Sequence, residues 1–199
     1  RVLKIPKNPD PASVTSLINL SKGNPDNQEV EIINQLNHPN ITQILNVYPE
    51  KDRSITIEEY TDSISLEDLI NLSGPLKDPK RIKSIFTQIA NALEYLHQEK
   101  RILHRDIKPS NIFVDPILLR HPSSEAVKIG DMQLSKREEE IKADNAPIRG
   151  DARYAHRSLL NAFSSIGTPA KATRKTDLYS LGVTLAYMFT GKQPEKLLE

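Results

Sequence analysis

The spacing of apolar residues changes near Thr61, and this change restricts the fold more than any other feature of the sequence. Before it, residues 41–47 and 54–60 form strand-like runs, and in the second run Ile55 and Ile57 alternate with polar neighbours. After it, residues 78–99 carry an apolar stripe at helical spacing, made of Ile82, Ile85, Phe86, Ile89, Leu93 and Leu96. Strands followed mostly by helices predict an α+β fold with a smaller first lobe that ends near residue 61.

Shorter elements complete the predicted layout, and each is bounded by turn or capping residues. Strands are predicted at 1–5, 111–114 and 126–129, helices at 27–36, 65–72 and 177–190, and turns at 38–40 and 49–52. Ser65 is the predicted cap of its helix, with Asp68 three residues later, and Gly191 ends the last helix. Residues 131–154 show little periodicity and many charges, so a long loop is predicted there.

The composition excludes several classes of protein. The chain has 199 residues, a formal net charge of +1 and no cysteine, so neither a disulfide framework nor a cysteine metal site is possible. The near-zero charge lacks the basic bias that nucleic-acid binders usually show, and no nucleic-acid partner is expected. No apolar run approaches membrane-spanning length, and no signal peptide is recognisable at the N-terminus. A cytoplasmic location is therefore expected.

The segment 104–111 places three chemically complementary side chains close together: Asp106, Lys108 and Asn111. Transfer of a phosphoryl group to a hydroxyl needs an acidic group that orients the hydroxyl and accepts its proton. It also needs a ligand for the metal on the phosphates and a positive charge near the transferred group. Asp106 fits the first role, Asn111 the second and Lys108 the third, while Pro109 restricts the backbone between them.

This segment, His104-Arg105-Asp106-Ile107-Lys108-Pro109-Ser110-Asn111, resembles the protein-kinase pattern H-R-D-x-K-x-x-N at every specified position. The resemblance implies a two-lobed protein-kinase-like fold, with Asp106, Lys108, Asn111 and Arg105 in the catalytic set. It implies ATP and Mg²⁺ as cofactors and a protein substrate with a serine or threonine hydroxyl, because Lys108 stands where serine/threonine kinases usually carry lysine.

Further stretches follow in the order of the kinase pattern. Val2-Leu3-Lys4 resembles the end of V-A-I-K, so Lys4 is expected to contact the α- and β-phosphates of ATP. Glu29 lies at the spacing of the glutamate that pairs with this lysine, and Glu31 is the competing candidate. Gly130-Asp131-Met132-Gln133 occupies the position of D-F-G. The resemblance makes Asp131 a metal ligand, with Met132 replacing an interlobe phenylalanine and Gln133 replacing glycine.

The stretch Ile57-Glu58-Glu59-Tyr60, followed by Ser65-Leu66, resembles the linker between kinase lobes, which binds adenine. The resemblance assigns Glu59, Thr61, Ser65 and Phe113 to the nucleotide site. In this alignment Glu58 stands at the gatekeeper position behind the adenine, where most kinases have an apolar residue. Its carboxylate is expected to find a partner or to reach water.

Residues 150–158, Gly-Asp-Ala-Arg-Tyr-Ala-His-Arg-Ser, align without gaps on the activation-segment pattern G-T-P-x-Y-x-A-P-E. His156-Arg157-Ser158 replaces A-P-E, so the glutamate that normally anchors this segment is missing. Asp151 replaces a threonine that in kinases usually bonds to the catalytic loop, which corresponds to residues 104–111 here. We predict that Asp151 pairs with Lys108. Because no serine or threonine lies between Lys136 and Arg157, regulation by phosphorylation within this stretch is not expected.

Two further acidic sites have defined expectations. The stretch 176–183, Thr-Asp-Leu-Tyr-Ser-Leu-Gly-Val, resembles the family helix in which the aspartate, here Asp177, bonds the backbone of the catalytic loop at His104 and Arg105. The run 138–140 contains only glutamates, which are predicted to be a solvated charge run. The alternative is that they replace a phosphate by pairing with Arg105.

The resemblance divides the chain at residue 61. Residues 1–61 correspond to a partial N-lobe and hinge without the Gly-rich loop, and residues 62–199 to a partial C-lobe without its last helices. Apolar surface is then expected to be exposed on helix 177–190. The favoured function is an ATP- and Mg²⁺-dependent serine/threonine protein kinase. The alternatives are a pseudokinase that acts as a signalling or scaffold module, and a kinase-fold phosphotransferase that acts on a small molecule.

Overall fold

The computed structural model describes residues 17–22, 36–50, 53–59, 61–116, 126–143, 150–157, 159 and 171–194. The chain divides into two compact units, Arg1–Asp62 and Ser63–Glu199. The predicted strand 1–5 lies outside the described residues, as does nearly all of the predicted helix 27–36.

The first unit contains an antiparallel sheet of three strands, β1 (Leu17–Lys22), β2 (Ile44–Glu50) and β3 (Arg53–Glu58), in the order β1-β3-β2. The predicted turn at 49–52 is wrong at its start, because β2 continues through Pro49, which faces Ser54 of β3. Proline is tolerated there since β2 lies at the edge of this sheet and needs no outward N–H partner. Strand β1 was not predicted from the sequence.

The chain turns before β2 at the predicted break after Leu36. The Ile41 N–H donates to the His38 carbonyl at 3.1 Å, and the Asn40 N–H donates to His38 Nδ1 at 3.1 Å. Leu36 and Ile41 are buried beside this turn. β3 ends at Glu58, the predicted gatekeeper, which pairs with Ile44 at the start of β2 and is also buried.

The described part of the second unit consists of helices and two small sheets. Its helices are α1 (Leu66–Ser73), α2 (Pro79–Glu94), α3 (Glu138–Ala143) and α4 (Arg174–Thr190). One sheet has the order β4-β6-β7, with β4 at Ile64–Ser65, β6 at Ile112–Val114 and β7 at Val127–Ile129. The other pairs β5 (Ile102–Leu103) with β8 (Lys136–Arg137).

Helix α2 forms the core of this unit and confirms the predicted apolar stripe. Asp78 caps it by accepting the Lys80 N–H at 2.9 Å, and Pro79 follows at the first helical position, where no N–H partner is needed. The stripe residues are buried, apart from a half-buried Phe86. The helix continues as a π-helical segment, Tyr95–Lys100, and ends at Arg101 in the left-handed conformation.

Helix α4 confirms the last predicted helix and begins three residues earlier, at Arg174, behind a capping box formed by Thr173 and Thr176. It ends at Gly191, whose φ of 65° is suited to glycine. One face is buried, while the large apolar residues Leu178, Tyr179 and Phe189 are exposed, as expected from the sequence.

The prediction of one long loop over residues 131–154 is wrong in its first part. A 3₁₀ turn at Met132–Leu134, strand β8 and helix α3 occupy this stretch. The strand forms because Lys136 and Arg137 pair with β5 across the chain, a contact that local periodicity does not reveal. The glutamates 138–140 fill the first turn of α3, where negative charge favours the positive end of the helix dipole.

No helix within the described ranges has the length and apolar character needed to cross a membrane.

Candidate active site

The segment 104–111 connects β5 to β6, and short backbone contacts fix its path. Pro109 begins a 3₁₀ turn that ends at Asn111, whose N–H donates to the Lys108 carbonyl at 3.0 Å. The Gly130 N–H donates to the Asn111 carbonyl at 2.9 Å. This last bond brings the residue before Asp131 next to Asn111, so the two predicted metal ligands come from adjoining backbone segments.

The Asp106 carboxylate is buried and accepts three hydrogen bonds. Its Oδ2 accepts from Lys108 Nζ at 2.6 Å and from Asn111 Nδ2 at 2.9 Å, and its Oδ1 accepts from the Asp151 N–H at 3.0 Å. The predicted catalytic trio of Asp106, Lys108 and Asn111 is therefore assembled in direct contact. Charge-assisted bonds of this kind hold a carboxylate in a fixed orientation.

Asn111 faces Asp106 with its amide nitrogen, which donates to the Asp106 backbone carbonyl at 2.9 Å as well as to its carboxylate. Because the amide nitrogen makes these bonds, Oδ1 is the atom of the Asn111 side chain that could bind a cation. No cluster of three or more histidine, aspartate or glutamate side chains suited to a metal occurs within the described ranges. A site with Asn111 and Asp131 as its protein ligands fits Mg²⁺, which usually takes its remaining ligands from phosphate and water.

Asp177 anchors the start of this loop from α4, and its predicted role is confirmed. The carboxylate accepts the His104 N–H and the Arg105 N–H, each at 2.9 Å, and is almost fully buried. Arg105 has a φ of 72°, a strained conformation for a residue with a side chain, and the Asp177 bond to its N–H helps to hold it.

His97 is a third partner of Asp177, with its Nε2 2.8 Å from Asp177 Oδ2. No motif in the sequence marks His97 as part of the site. The burial of His97 follows from its place beside Leu96 in the apolar stripe, but its partner lies 80 residues away and has no local signature.

Asp131 begins the segment that resembles D-F-G, with a φ of 59°. Met132 is 2% exposed, in keeping with the apolar role expected from the sequence. The Ser135 hydroxyl lies 3.8 Å from the Met132 sulfur and 3.4 Å from the His104 carbonyl, which links this turn to the catalytic loop.

The segment 150–157 passes directly beside the catalytic loop. Gly150 has a φ of 126°, and a Cβ at this position would lie 2.6 Å from the Arg105 carbonyl oxygen. Only glycine allows so close an approach of the two backbones. The next residue, Asp151, then donates its N–H to Asp106.

The predicted pair between Asp151 and Lys108 is wrong. The Asp151 carboxylate accepts from Arg153, through Nε at 3.0 Å, Nη2 at 2.7 Å and the Arg153 N–H at 3.0 Å, while Lys108 is bound to Asp106. The planar guanidinium two residues away offers a bidentate geometry that the Lys108 ammonium does not match. The hydrogen bond from the Arg153 side chain is the main reason that the pKa of Asp151 lies below its ordinary value. The charge of Lys108 makes the smallest contribution to this lowering.

The glutamate run 138–140 contributes one ion pair. The Glu138 carboxylate binds the Arg174 guanidinium at the start of α4, including a contact of 3.1 Å from Nη2 to Oε2. Arg174 also donates to Gln98 Oε1 at 2.9 Å. Glu138 therefore links α3 to α4 and is not simply part of a solvated run.

The residues assigned to the nucleotide site are described only in part. Lys4 and Glu29 lie outside the described residues. Glu59 in the first unit accepts the Gln43 N–H through Oε1 at 2.8 Å, and Thr61 is half-buried. In the second unit Ser65 and Phe113 are register partners in β4 and β6. The Ser65 hydroxyl caps α1 as predicted, because it accepts the Asp68 N–H at 2.9 Å and donates to the Asp68 carboxylate at 2.7 Å.

Comparison with known proteins identifies the family. A model of the protein kinase domain matches residues 16–197. The chain is 34% identical over 172 residues to the mitogen-activated protein kinase kinase kinase MST11 of Pyricularia oryzae. The aligned region covers 84% of the chain and 17% of that protein. The chain is 32% identical over 168 residues to the serine/threonine-protein kinase PrkC of Bacillus subtilis. This aligned region covers 84% of the chain and 24% of that protein.

The chain thus spans about a fifth of the length of these relatives. The match covers both units and includes the assembled segment 104–111, the Asp177 anchor and the segment 150–157. The chain belongs to the protein kinase domain family.

Proposed function

We propose that this chain transfers the γ-phosphoryl group of ATP to a serine or threonine hydroxyl of a protein, with Asp106 as the base. The observation that carries the proposal is the buried Asp106 carboxylate in contact with both Lys108 and Asn111. Family membership supports a protein kinase in general. The acceptor, the residue roles and the metal are our assignments.

Within the described residues, the hydrogen bonds of Asp106 leave one acceptor position for the substrate hydroxyl. A carboxylate has about four acceptor positions, and Oδ2 takes two donors while Oδ1 takes one. The remaining position on Oδ1 is suited to the hydroxyl of the acceptor side chain. Asp106 would orient this hydroxyl toward the phosphoryl group and take its proton as the new bond forms.

Lys108 lies at the other carboxylate oxygen, where its ammonium group would offset the negative charge of the transferred phosphoryl group. Arg105 supports the loop through its backbone bond to Asp177. Mg²⁺, held by Asn111 and Asp131, would neutralise charge on the β- and γ-phosphates. By resemblance, Lys4 paired with Glu29 would bind the α- and β-phosphates, and Glu59, Thr61, Ser65 and Phe113 would contact the nucleotide.

A pseudokinase is the second candidate, and the altered segments favour it. Gln133 replaces the glycine of D-F-G, and the buried Glu58 occupies the position expected behind the adenine. Most kinases have an apolar residue at that position, so the carboxylate changes the surroundings expected for the adenine. A phosphotransferase acting on a small molecule is the third candidate, which Arg105 and Lys108 disfavour.

The three candidates differ in the acceptor that becomes labelled. The full chain is incubated with γ-labelled ATP and Mg²⁺, once with dephosphorylated casein and once with a pool of small hydroxylated metabolites. Our proposal predicts label on serine or threonine of casein, and loss of that label when EDTA removes the metal. Nucleotide binding without any transfer would favour the pseudokinase, and label only in the metabolite pool would favour the third candidate.

A further inference from the structure

Gln193 lies three residues beyond Thr190, the last residue of α4, and connects three parts of the second unit. Its Oε1 accepts the Tyr154 hydroxyl at 3.0 Å and Arg153 Nη1 at 3.4 Å. Its Nε2 donates to Glu67 Oε1 in α1 at 3.1 Å. One amide group therefore links segment 150–157 to a helix more than 80 residues earlier in the chain.

The chemistry of these neighbours makes glutamine well suited to position 193. Tyr154 and Arg153 supply donors, so the group facing them must accept, whereas the Glu67 carboxylate requires a donor. A carboxylate at position 193 would repel Glu67, and an ammonium group would repel Arg153. Burial raises the pKa of the Tyr154 phenol well above its ordinary value, so the hydroxyl stays a donor.

The network reaches the base through the backbone. Tyr154 is buried, and its carbonyl also accepts the Ser180 hydroxyl of α4 at 2.8 Å. Arg153, held by Gln193, binds the Asp151 carboxylate, and the Asp151 N–H donates to Asp106 Oδ1. A continuous chain of contacts thus runs from Gln193 through Arg153 and Asp151 to Asp106.

This segment lacks the glutamate that anchors the corresponding segment in the pattern A-P-E. We infer that Gln193, bridging Tyr154 and Arg153 to Glu67, is a positioning residue that takes over this anchoring role. It holds segment 150–157 in the geometry that binds a protein substrate and completes the hydrogen bonds of Asp106. This assignment rests on the proposed kinase function.

The test exchanges donor and acceptor between positions 67 and 193. Gln193→Leu removes all three hydrogen bonds, and Gln193→Glu keeps the acceptor but places a second carboxylate against Glu67. Glu67→Gln alone leaves an acceptor for Gln193 and is expected to behave like the wild type. The double variant Gln193→Glu with Glu67→Gln restores a donor facing an acceptor with the two positions exchanged, and it is expected to recover wild-type behaviour.

The first readout needs no catalysis. Amide hydrogen exchange of the full chain is followed at residues 151, 154 and 155, with β6 and β7 as the internal reference. Gln193→Leu and Gln193→Glu are expected to raise exchange in the segment about tenfold, which corresponds to the loss of one to two hydrogen bonds. The reference strands are expected to keep their wild-type rates, and so is the control Lys192→Ala, at an exposed neighbour.

The second readout is steady-state kinetics with casein and ATP. Gln193→Leu is expected to raise KM for casein several-fold and to leave KM for ATP unchanged, because the segment contacts the protein substrate. Equal acceleration of exchange in segment and reference strands, unchanged exchange in the segment, or failure of the double variant to recover would each overturn the inference. Wild-type chain without transfer activity would overturn the proposed kinase function alone, since the exchange readout still judges the anchor.

Discussion

At the scale of single residues, the active site depends on backbone conformations that are costly for residues with side chains. Arg105 and Asp131 both have positive φ; Arg105 directly precedes Asp106, the assigned base, and Asp131 is itself an assigned metal ligand. Such conformations cost about 1–3 kcal/mol each and persist only where surrounding contacts enforce them. For Arg105 the enforcing contact is the carboxylate of Asp177, which accepts its N–H.

Gly150 allows a test of the close approach between segment 150–157 and the backbone of Arg105. Gly150→Ala adds a Cβ 2.6 Å from the Arg105 carbonyl oxygen, at a φ of 126° that alanine rarely adopts. The segment must then move away from the catalytic loop, and the Asp151 bond to Asp106 is lost. We expect phosphoryl transfer to casein to fall at least about tenfold, measured as kcat/KM.

Gly182→Ala is the matched control, because Gly182 lies inside α4 with open space around its Cα. Alanine at that position is expected to raise the free energy of unfolding by about 0.5–1 kcal/mol. Full activity in Gly150→Ala would contradict the close approach of the two backbones.

The hydrogen-bond partners of single side chains could be predicted from the sequence where a short motif determines them. The role of Asp177 follows from its neighbours in residues 176–183 and is confirmed. The partner of Asp151 was predicted wrongly, because Arg153 competes through a turn that sequence spacing alone does not reveal. His97 and Gln193 could not be found, since each depends on partners brought close only by the folded chain.

At the scale of elements, α4 organises the second unit by contacts at both of its ends and along its buried face. Asp177 near its start binds the catalytic loop, Arg174 binds Glu138 of α3, and Gln193 beyond its end binds α1. Along the buried face, Thr184 is fully buried, and within the described residues its hydroxyl has no hydrogen-bond partner.

Thr184→Val removes this unsatisfied hydroxyl with little change of shape. We expect the free energy of unfolding to rise by about 1 kcal/mol, equivalent to an increase in Tm of about 2–4 °C for a chain of this size. Thr190→Val is the control, because the Thr190 hydroxyl is exposed and already donates to the Ala186 carbonyl at 2.8 Å. A loss of stability in Thr184→Val would show that the buried hydroxyl is satisfied.

The ion pair between Glu138 and Arg174 makes a separate prediction about α3. A double-mutant cycle with Glu138→Ala and Arg174→Ala, followed by urea unfolding, is expected to show favourable coupling that decreases as salt is added. Glu139→Ala changes an exposed neighbour and is expected to show no coupling to Arg174. Independent effects of the Glu138 and Arg174 substitutions at low salt would contradict a link between α3 and α4.

Helices and strands could be predicted from the sequence where their apolar residues follow a strong local pattern. Helix α2 has a continuous apolar stripe and a proline at its start, so both its type and its core residues were predicted correctly. Strand β8 has only two residues, and both β1 and β8 pair with strands that lie far away in the sequence. Helix α3 follows β8 directly, and its charged sequence hid it within a predicted loop.

At the scale of the whole molecule, the second unit contains most of the proposed chemistry. Asp106, Lys108, Asn111 and Asp131 all lie within it, as do segment 150–157 and its anchors. The first unit supplies Glu59 and Thr61, which stay assigned to the nucleotide by resemblance. The protein kinase family was predictable because residues 104–111 match the family pattern at every specified position, and this local pattern needs no knowledge of the fold.

The account as a whole depends on Asp106 as the base, and single-turnover phosphoryl transfer by Asp106→Asn tests this most directly. The variant keeps the shape of the side chain but loses the group that accepts the proton. We expect the transfer rate to casein to fall by about 10²–10⁴-fold while the Kd for ATP stays unchanged, with Glu139→Gln, at an exposed carboxylate outside the site, retaining full activity. A transfer rate in Asp106→Asn equal to that of the wild type would contradict the account.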